Sequence, residues 1–201
     1  PRDAVAVFQQ RGQLETTYSW QDLWRHEHAR AFTVSRLANV QLLEQMRAEI
    51  DSAIKNGTRF DEFAKAMRPR LEAAGWWGKR DVIEASTGEI HTTTFDPQRL
   101  RLIYDTNTRQ SYAAGRWQRA ERSAHRFPFL LYRTAQDERV RASHRRWNNL
   151  VLPIGHPFWD AHYPPNGWRC RCMAFPVDQR DIDRRRAAGD DIRTEAPPDD
   201  L

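Results

Sequence analysis

The apolar periodicity between Gln21 and about Lys55 constrains the fold more than any other feature of this chain. Apolar residues recur there at steps of three and four, as expected for one face of a helix; they are Ala31, Val34, Leu37, Ala38, Leu43, Met46, Ile50 and Ile54. The pair Asn56-Gly57 is a typical helix stop. The pattern predicts one long N-terminal helix of about 30 residues, well above the average helix length.

The rest of the chain mixes helical and β patterns. A shorter helical pattern covers residues 58–75, and β-rich stretches on either side of Ser86-Thr87-Gly88 predict a hairpin over residues 81–95. Asp96-Pro97 marks the start of another helix, residues 127–133 read as a buried strand, and residues 137–149 as a helix. These patterns predict an α+β fold in which helix dominates, with a long N-terminal helix, a small β-hairpin and a loop-rich C-terminal corner that holds cysteine and histidine.

The core of such a fold must be built from large side chains. Only 39% of the residues are hydrophobic and the mean hydropathy is −0.85, but the chain contains eight tryptophans and nine phenylalanines. Each buried aromatic side chain removes about 150–250 Å² from water. We therefore expect a thin, aromatic core, and no membrane partner, because no apolar run approaches the roughly 18–20 residues that span a bilayer.

Positive charge is concentrated in the middle of the chain. Residues Asp178 to Leu201 contain eight acids and five arginines, whereas residues Arg116 to Arg146 contain nine arginines and three acids. A basic stretch of this kind attracts polyanions such as DNA or an acidic protein surface, although a solvated face of ordinary ion pairs is an equally good interpretation. The candidate DNA- or partner-binding residues are Arg116, Arg119, Arg122, Arg126, Arg133, Arg139, Arg141, Arg145 and Arg146.

Both cysteines lie in the stretch PPNGWRCRC, at positions 170 and 172. A disulfide between residues so close in sequence would be a strained ring. Arg169 and Arg171 favour the thiolate form, and thiolates with nearby imidazoles are typical zinc ligands. Three histidines precede the cysteines, at positions 144, 156 and 162. The spacing therefore leaves two interpretations open, a metal site and two thiols packed as small apolar side chains.

Several longer segments resemble one known family. RASHRRWNNLVLPIGHPFWDAHYPPNGWRCRC (residues 141–172) is similar to the C-terminal signature of the phage Mu F-like minor head proteins. LIYDTNTRQSYAAGR (102–116), WRHEHARAFTVSR (24–36) and GWWGK (75–79) also look like features of that family. The matching positions of the signature are Arg141, His144, Pro164, Asn166, Gly167, Cys170 and Cys172.

This resemblance implies a domain organisation and a site. It implies a Mu F-like minor head protein domain over residues 20–177. By composition, residues 1–19 form an N-terminal arm or a docking strand, and residues 178–201 form a polar tail that is mobile at its end. Within the domain, residues 20–75 would form the helical part and residues 76–177 the core α+β part. His144, Cys170 and Cys172 would form a structural Zn²⁺ site that stabilises a loop-rich segment, with His162 or Asp137 as a fourth ligand.

The resemblance also implies a non-enzymatic structural role in the head of a tailed phage or a prophage. The protein would be a minor capsid protein associated with the portal or the inner capsid, assembled in the cytoplasm of the bacterial host and located in the virion. It would act in head assembly and in DNA packaging or ejection. Its partners would be the portal protein, the major capsid protein and, without sequence specificity, double-stranded DNA. The alternative is a metal-dependent nuclease or a toxin-like effector that uses the histidine and the cysteines; the sequence shows no carboxylate pair to hold a catalytic Mg²⁺.

Overall fold

The computed structural model describes residues 2–14, 31–32, 34–84 and 86–197. Its elements, in chain order, are α1 (Arg2–Gln10), β1 (Gln13–Leu14), β2 (Ala31–Phe32), α2 (Val40–Asn56), α3 (Phe60–Ala73), β3 (Gly78–Ile83), β4 (Ile90–Phe95), α4 (Pro97–Arg122), β5 (Phe129–Arg133), α5 (Ala142–Arg145), β6 (Val151–Pro153), α6 (Phe158–His162), β7 (Met173–Val177) and α7 (Gln179–Ala187). These elements form two compact units, Pro1–Gly115 and Arg116–Leu201. None of the described helices is long and apolar enough to cross a membrane.

The helix α2 begins later than the sequence pattern predicted. The side chain of Asn39 caps its first turn by accepting a hydrogen bond from the backbone N–H of Leu42 (2.9 Å), and residues 31–32 are strand. Residues 15–30, which include the start of the predicted helix, lie outside the described part of the chain. The predicted end is confirmed, because Gly57 adopts the left-handed conformation (φ 71°) and donates its N–H to the carbonyl of Ala53.

The N-terminal residues form a packed helix where the sequence predicted an arm or a docking strand. Ala4 and Phe8 of α1 are buried, and the ring of Phe8 meets that of Phe32 edge-on at 5.8 Å. The helix also lies against Gly115 of α4, where an added Cβ would come within 2.7 Å of the backbone nitrogen of Ala4. The spacing of Ala4 and Phe8 places both on one helix face, so burial of this face explains the helix.

The predicted hairpin and the helix after it are both present. The strands β3 and β4 pair antiparallel from Gly78↔Phe95 to Ile83↔Ile90, and Phe95 packs edge-on against Trp76 (6.1 Å). The carboxylate of Asp96 caps α4 by accepting the backbone N–H of Arg99 at 2.7 Å. These elements share the core of the first unit with α1, α2 and α3.

The second unit contains a three-stranded antiparallel sheet with β5 at its centre, in the order β6-β5-β7. Side chains alternate between the two faces of β5. Leu130 and Tyr132 belong to one buried cluster, which also includes both cysteines, whereas Leu131 belongs to another with Ile182 of α7. The larger cluster is rich in aromatic residues, as the composition suggested; its buried members include Tyr132, Trp147, Phe158 and Trp159.

The polar tail is more ordered than the sequence predicted. Residues Gln179–Ala187 form the helix α7, which begins with a capping box between Asp178 and Asp181. Ile182 anchors this helix in the smaller cluster, and Arg193 pairs with Leu150 through a short parallel bridge. One buried residue on an otherwise charged helix gives a weak periodicity, which explains why the sequence suggested a mobile segment. The α+β class, with helix dominant and a small hairpin, is confirmed.

Candidate metal centre

The sheet of the second unit brings the cysteines and His144 to one end. The central strand β5 ends at Arg133, which lies opposite Met173 at the start of β7. Cys172 immediately precedes β7, and His144 lies on α5, in the connection from β5 to β6. Because β5 is antiparallel to both neighbours, the end of β5 and the starts of β6 and β7 lie at the same end of the sheet. Residues far apart in sequence therefore meet there.

His144, Cys170 and Cys172 form a compact buried group. Nδ1 of His144 lies 3.8 Å from Sγ of Cys170 and 3.7 Å from Sγ of Cys172. The three donor atoms all lie within 4.8 Å of one another, and each residue is at most 6% exposed. Both cysteines are free thiols rather than a disulfide, as the ring strain predicted.

This donor set fits a zinc ion. In a tetrahedral site, Zn–S bonds of about 2.3 Å and Zn–N bonds of about 2.0–2.1 Å separate a sulfur and a nitrogen ligand by roughly 3.5 Å. The observed separations of 3.7 and 3.8 Å are close to that value. Thiolate and imidazole ligands are also the combination that suits zinc among the common divalent metals.

The environment of the two thiols favours one negative charge. The pKa of Cys170 is lowered, chiefly by a hydrogen bond from the Cys172 thiol and further by backbone hydrogen bonds and by His144. The pKa of Cys172 is raised because its proton is held by Cys170 and because it is buried. The hydrogen bond between the two thiols thus favours loss of the proton from Cys170 before loss of the proton from Cys172.

A set of polar contacts around the donors fixes their positions. The hydroxyl of Tyr132 hydrogen-bonds with Cys172, and the amide of Asn166 donates to the same hydroxyl (3.0 Å) and to the carbonyl of His162 (2.8 Å). The guanidinium of Arg141 donates to the carbonyls of Asn166 and Trp168 at 3.3 and 2.5 Å. Such contacts around a metal site hold its ligands in orientation. The sequence signature contained Arg141 and Asn166 without showing these roles, and it did not indicate Tyr132.

The two residues considered as a fourth ligand lie outside this group. The ring of His162 packs on Trp147 and Phe158, at centroid distances of 4.7 and 4.8 Å. Asp137 forms a two-armed ion pair with Arg171, with both N···O distances at 2.6 Å. The helix predicted over residues 137–149 is therefore wrong for its first part, because residues 137–141 are not helical and Asp137 contacts Arg171 of the cysteine loop.

A second group of potential donors lies on the hairpin of the first unit. Nε2 of His91 is 2.9 Å from a carboxylate oxygen of Glu84 and 3.9 Å from one of Glu89. Glu89 is largely exposed (71% for its side chain), and exposed acidic groups of this kind are common in proteins without a bound ion. We assign no role to this group.

The arginines of the basic stretch lie on several elements of the second unit. Arg116, Arg119 and Arg122 lie on the last turns of α4, Arg126 follows that helix, Arg133 is on β5, and the other four lie on and around α5. Some guanidinium groups have structural partners. Arg133 contacts Asn149 and, at 3.8 Å, Asp190, and Arg145 donates to the carbonyls of Val140 and Glu138. The basic stretch also includes exposed side chains, such as Arg119, Arg122 and Arg139.

Comparison with known proteins agrees with the resemblance seen in the sequence. The family model described as "Phage Mu protein F like protein" matches residues 44–175, which include all three donors. A putative capsid assembly protein F of Escherichia phage Mu is 38% identical over 172 residues, which cover 86% of this chain and 39% of that protein. The Mu-like prophage FluMu F protein of Haemophilus influenzae is 32% identical over 172 residues, 86% of this chain and 41% of that protein.

The chain thus spans about two fifths of the length of these curated relatives, and no solved structure matches it. The family model covers well over half of the chain, and the signature from Arg141 to Cys172 falls entirely inside the matched range. This chain therefore belongs to the family of proteins similar to phage Mu protein F.

Proposed function

We propose that this protein is a structural component of head morphogenesis in a tailed phage or a prophage. The observation that carries this proposal is the 38% identity, over 86% of the chain, to a protein named for capsid assembly in phage Mu. In this role the protein acts in the phage head, together with the portal protein, the major capsid protein or both. Assembly takes place in the cytoplasm of the bacterial host.

The structural role of the Cys/His group is to hold a zinc ion that stabilises the loops at the end of the sheet. His144, Cys170 and Cys172 are its ligands. A zinc ion supplies cross-links between the segment around α5 and the segment before β7, and neither segment has much regular structure of its own. Because the cysteines must lose their protons to bind zinc, ion binding and ordering of this corner are coupled.

The exposed arginines of the second unit supply contacts to packaged DNA or to acidic protein surfaces. Contacts of this type to DNA are independent of sequence and weaken steeply with added salt. A fluorescent duplex titrated with the protein at about 50 and 200 mM salt measures this directly, with a large loss of affinity expected between the two. Equal affinity at both salt concentrations would contradict the electrostatic contact.

A structural role for the ion also fits the burial of its ligands better than catalysis does. Three protein donors leave the fourth position of a tetrahedral zinc ion to another ligand, as they do in catalytic sites, but burial of all three donors limits the access of a substrate to that position. The test is incubation of the purified protein with plasmid DNA and Mg²⁺, Mn²⁺ or Zn²⁺. We expect intact plasmid, and cleavage that is lost in a folded His144→Ala variant would overturn the structural assignment.

The head-assembly role is tested in the phage or induced prophage that encodes the chain. Silencing its gene should leave normal amounts of major capsid protein but few DNA-filled heads in electron micrographs of the lysate. Supply of the wild-type protein from a plasmid should restore the filled heads, and Cys170→Ser/Cys172→Ser should restore fewer. A normal yield of infectious particles without the protein would refute the role.

A further inference from the structure

The loop that carries the two cysteines also exposes a tryptophan that no part of the metal centre uses. Trp168 is 60% exposed, whereas Trp147 and Trp159 of the same unit are 5% and 2% exposed. A large aromatic side chain held in water is unfavourable for folding, and its exposure is more informative than that of a small apolar residue. A single exposed apolar side chain is normal on a protein surface, but tryptophan is enriched at interfaces because its indole combines a large apolar area with a polar N–H.

The backbone around Trp168 is fixed, so the indole is presented in one place. Its carbonyl accepts a hydrogen bond from Arg141 (2.5 Å), and the N–H of Cys170 donates to the carbonyl of Gly167 (3.3 Å). Cys170, two residues further on, is one of the three donors of the metal centre. A side chain on a fixed loop loses little conformational entropy when it is buried by a partner.

The two segments that meet at the Trp168 loop are rich in arginine. The segments 137–146 and 166–172, joined by the contacts of Arg141 and by the ion pair of Asp137 with Arg171, contain six arginines and two acids. Arg139, Arg141, Arg145, Arg146, Arg169 and Arg171 are all exposed. The field at Trp168 therefore attracts a negatively charged partner.

The contacts of these arginines favour a protein over DNA as that partner. Both terminal nitrogens of Arg141 donate to carbonyls, and both of those of Arg171 donate to Asp137. Phosphate recognition by arginine uses this same two-armed geometry, so two guanidinium groups beside Trp168 are already engaged. Their charge still acts at a distance, and the indole supplies the contact area.

We propose that Trp168 is the anchor of a protein–protein interface, and that its partner is an acidic head-protein surface with an apolar pocket for the indole. Tryptophan and arginine are the residues most enriched among those that dominate binding energy at interfaces. This surface is defined by Trp168 and the six arginines of segments 137–146 and 166–172, and it rests on the proposed role in the phage head. A zinc ion bound to Cys170 would then also hold in place the loop that presents Trp168 to the partner.

The test measures binding to the portal protein and to the major capsid shell of the same phage, each purified. We expect the wild-type protein to bind one of them, Trp168→Ala to bind at least tenfold more weakly, and Trp168→Phe to bind with intermediate affinity. Phe175→Ala is the matched control, since Phe175 is also an exposed aromatic of this unit (39%), and it should stay within about twofold of wild type. The Trp168→Ala variant should have the same unfolding curve and the same zinc content as wild type, because its indole is largely exposed.

Charge reversal tests the sign of the partner. Arg169→Glu should slow association and reduce its salt dependence, and faster association in this variant would overturn the acidic partner. Equal binding by Trp168→Ala and wild type would overturn the interface and leave the head role intact, whereas failure of the wild-type protein to bind either head protein would overturn both. Loss of duplex DNA binding in Trp168→Ala, with protein binding unchanged, would assign the surface to DNA and overturn the proposal.

Discussion

Replacement of Gly115 by alanine tests the packing of the N-terminal helix most directly. A Cβ at this position would lie 2.7 Å from the backbone nitrogen of Ala4 and 3.1 Å from two atoms of Asp3. An ordinary contact needs roughly 3.4–4 Å between such atoms, so α1 must move away by about 1 Å. The clash is with backbone, and a side-chain rotation cannot relieve it.

The expected magnitude is the balance of two effects. Overpacking of a well-packed site costs about 1–3 kcal/mol, and a clash with backbone belongs to the upper part of that range. Alanine is better than glycine within a helix by about 1 kcal/mol, which offsets part of the loss. We therefore expect Gly115→Ala to lower the free energy of unfolding by about 1–2 kcal/mol, although the same change in an uncrowded helix would raise it.

Urea unfolding followed by circular dichroism measures this difference. Gly12→Ala is the matched control, because the nearest atom to its added Cβ is 3.9 Å away, and it should be neutral or slightly stabilising. In a Phe8→Ala background, where α1 has lost its buried ring, the cost of Gly115→Ala should shrink. A variant at least as stable as wild type would refute the close contact between α1 and α4.

Three further predictions concern the cysteine corner. Removal of zinc by a chelator should lower the thermal unfolding temperature of the wild-type protein, and Cys172→Ser should lower it without added chelator. If the wild-type protein is purified without zinc and its unfolding temperature does not change with chelator, the cysteines are packed thiols and not metal ligands. Tyr132→Phe should cost about 0.5–1.5 kcal/mol of stability through the lost hydrogen bonds of its hydroxyl, with the fold unchanged by circular dichroism; an unchanged stability in urea would contradict the contacts to Cys172 and Asn166. Since Arg171 lowers the pKa of Asp137 in the folded protein, their pair stabilises above the ordinary aspartate pKa of about 3.9 and loses this effect as pH falls through the lower folded value. The stability difference between wild type and Asp137→Asn should thus be constant from about pH 5 to pH 8 and narrow below about pH 4; a difference that grows on acidification would contradict the ion pair.

Local signals predicted the elements whose ends are set by neighbouring residues. Gly57 ends α2 and Asp96 begins α4 because a left-handed glycine and a capping carboxylate act within one turn. The start of α2 was wrong by many residues, since apolar residues at helical spacing are also found where a chain packs in another conformation. Val34 and Leu37 fit the helical pattern and are buried, but they lie in the turn region before Asn39.

The candidate metal centre likewise depends partly on local sequence and partly on contacts between distant residues. The sequence narrowed the chemistry of the corner to a metal site or two packed thiols, because a disulfide between Cys170 and Cys172 is strained, and it pointed to His144 through a resemblance. It also determined the α+β class through its mixture of periodicities. Only the tertiary structure decided which residues surround the sulfur atoms. Antiparallel pairing around β5 brings Tyr132, His144 and the cysteine loop to the same end of the sheet. Contacts between residues about 10 to 40 positions apart depend on strand order and register, and no local pattern in the chain encodes them.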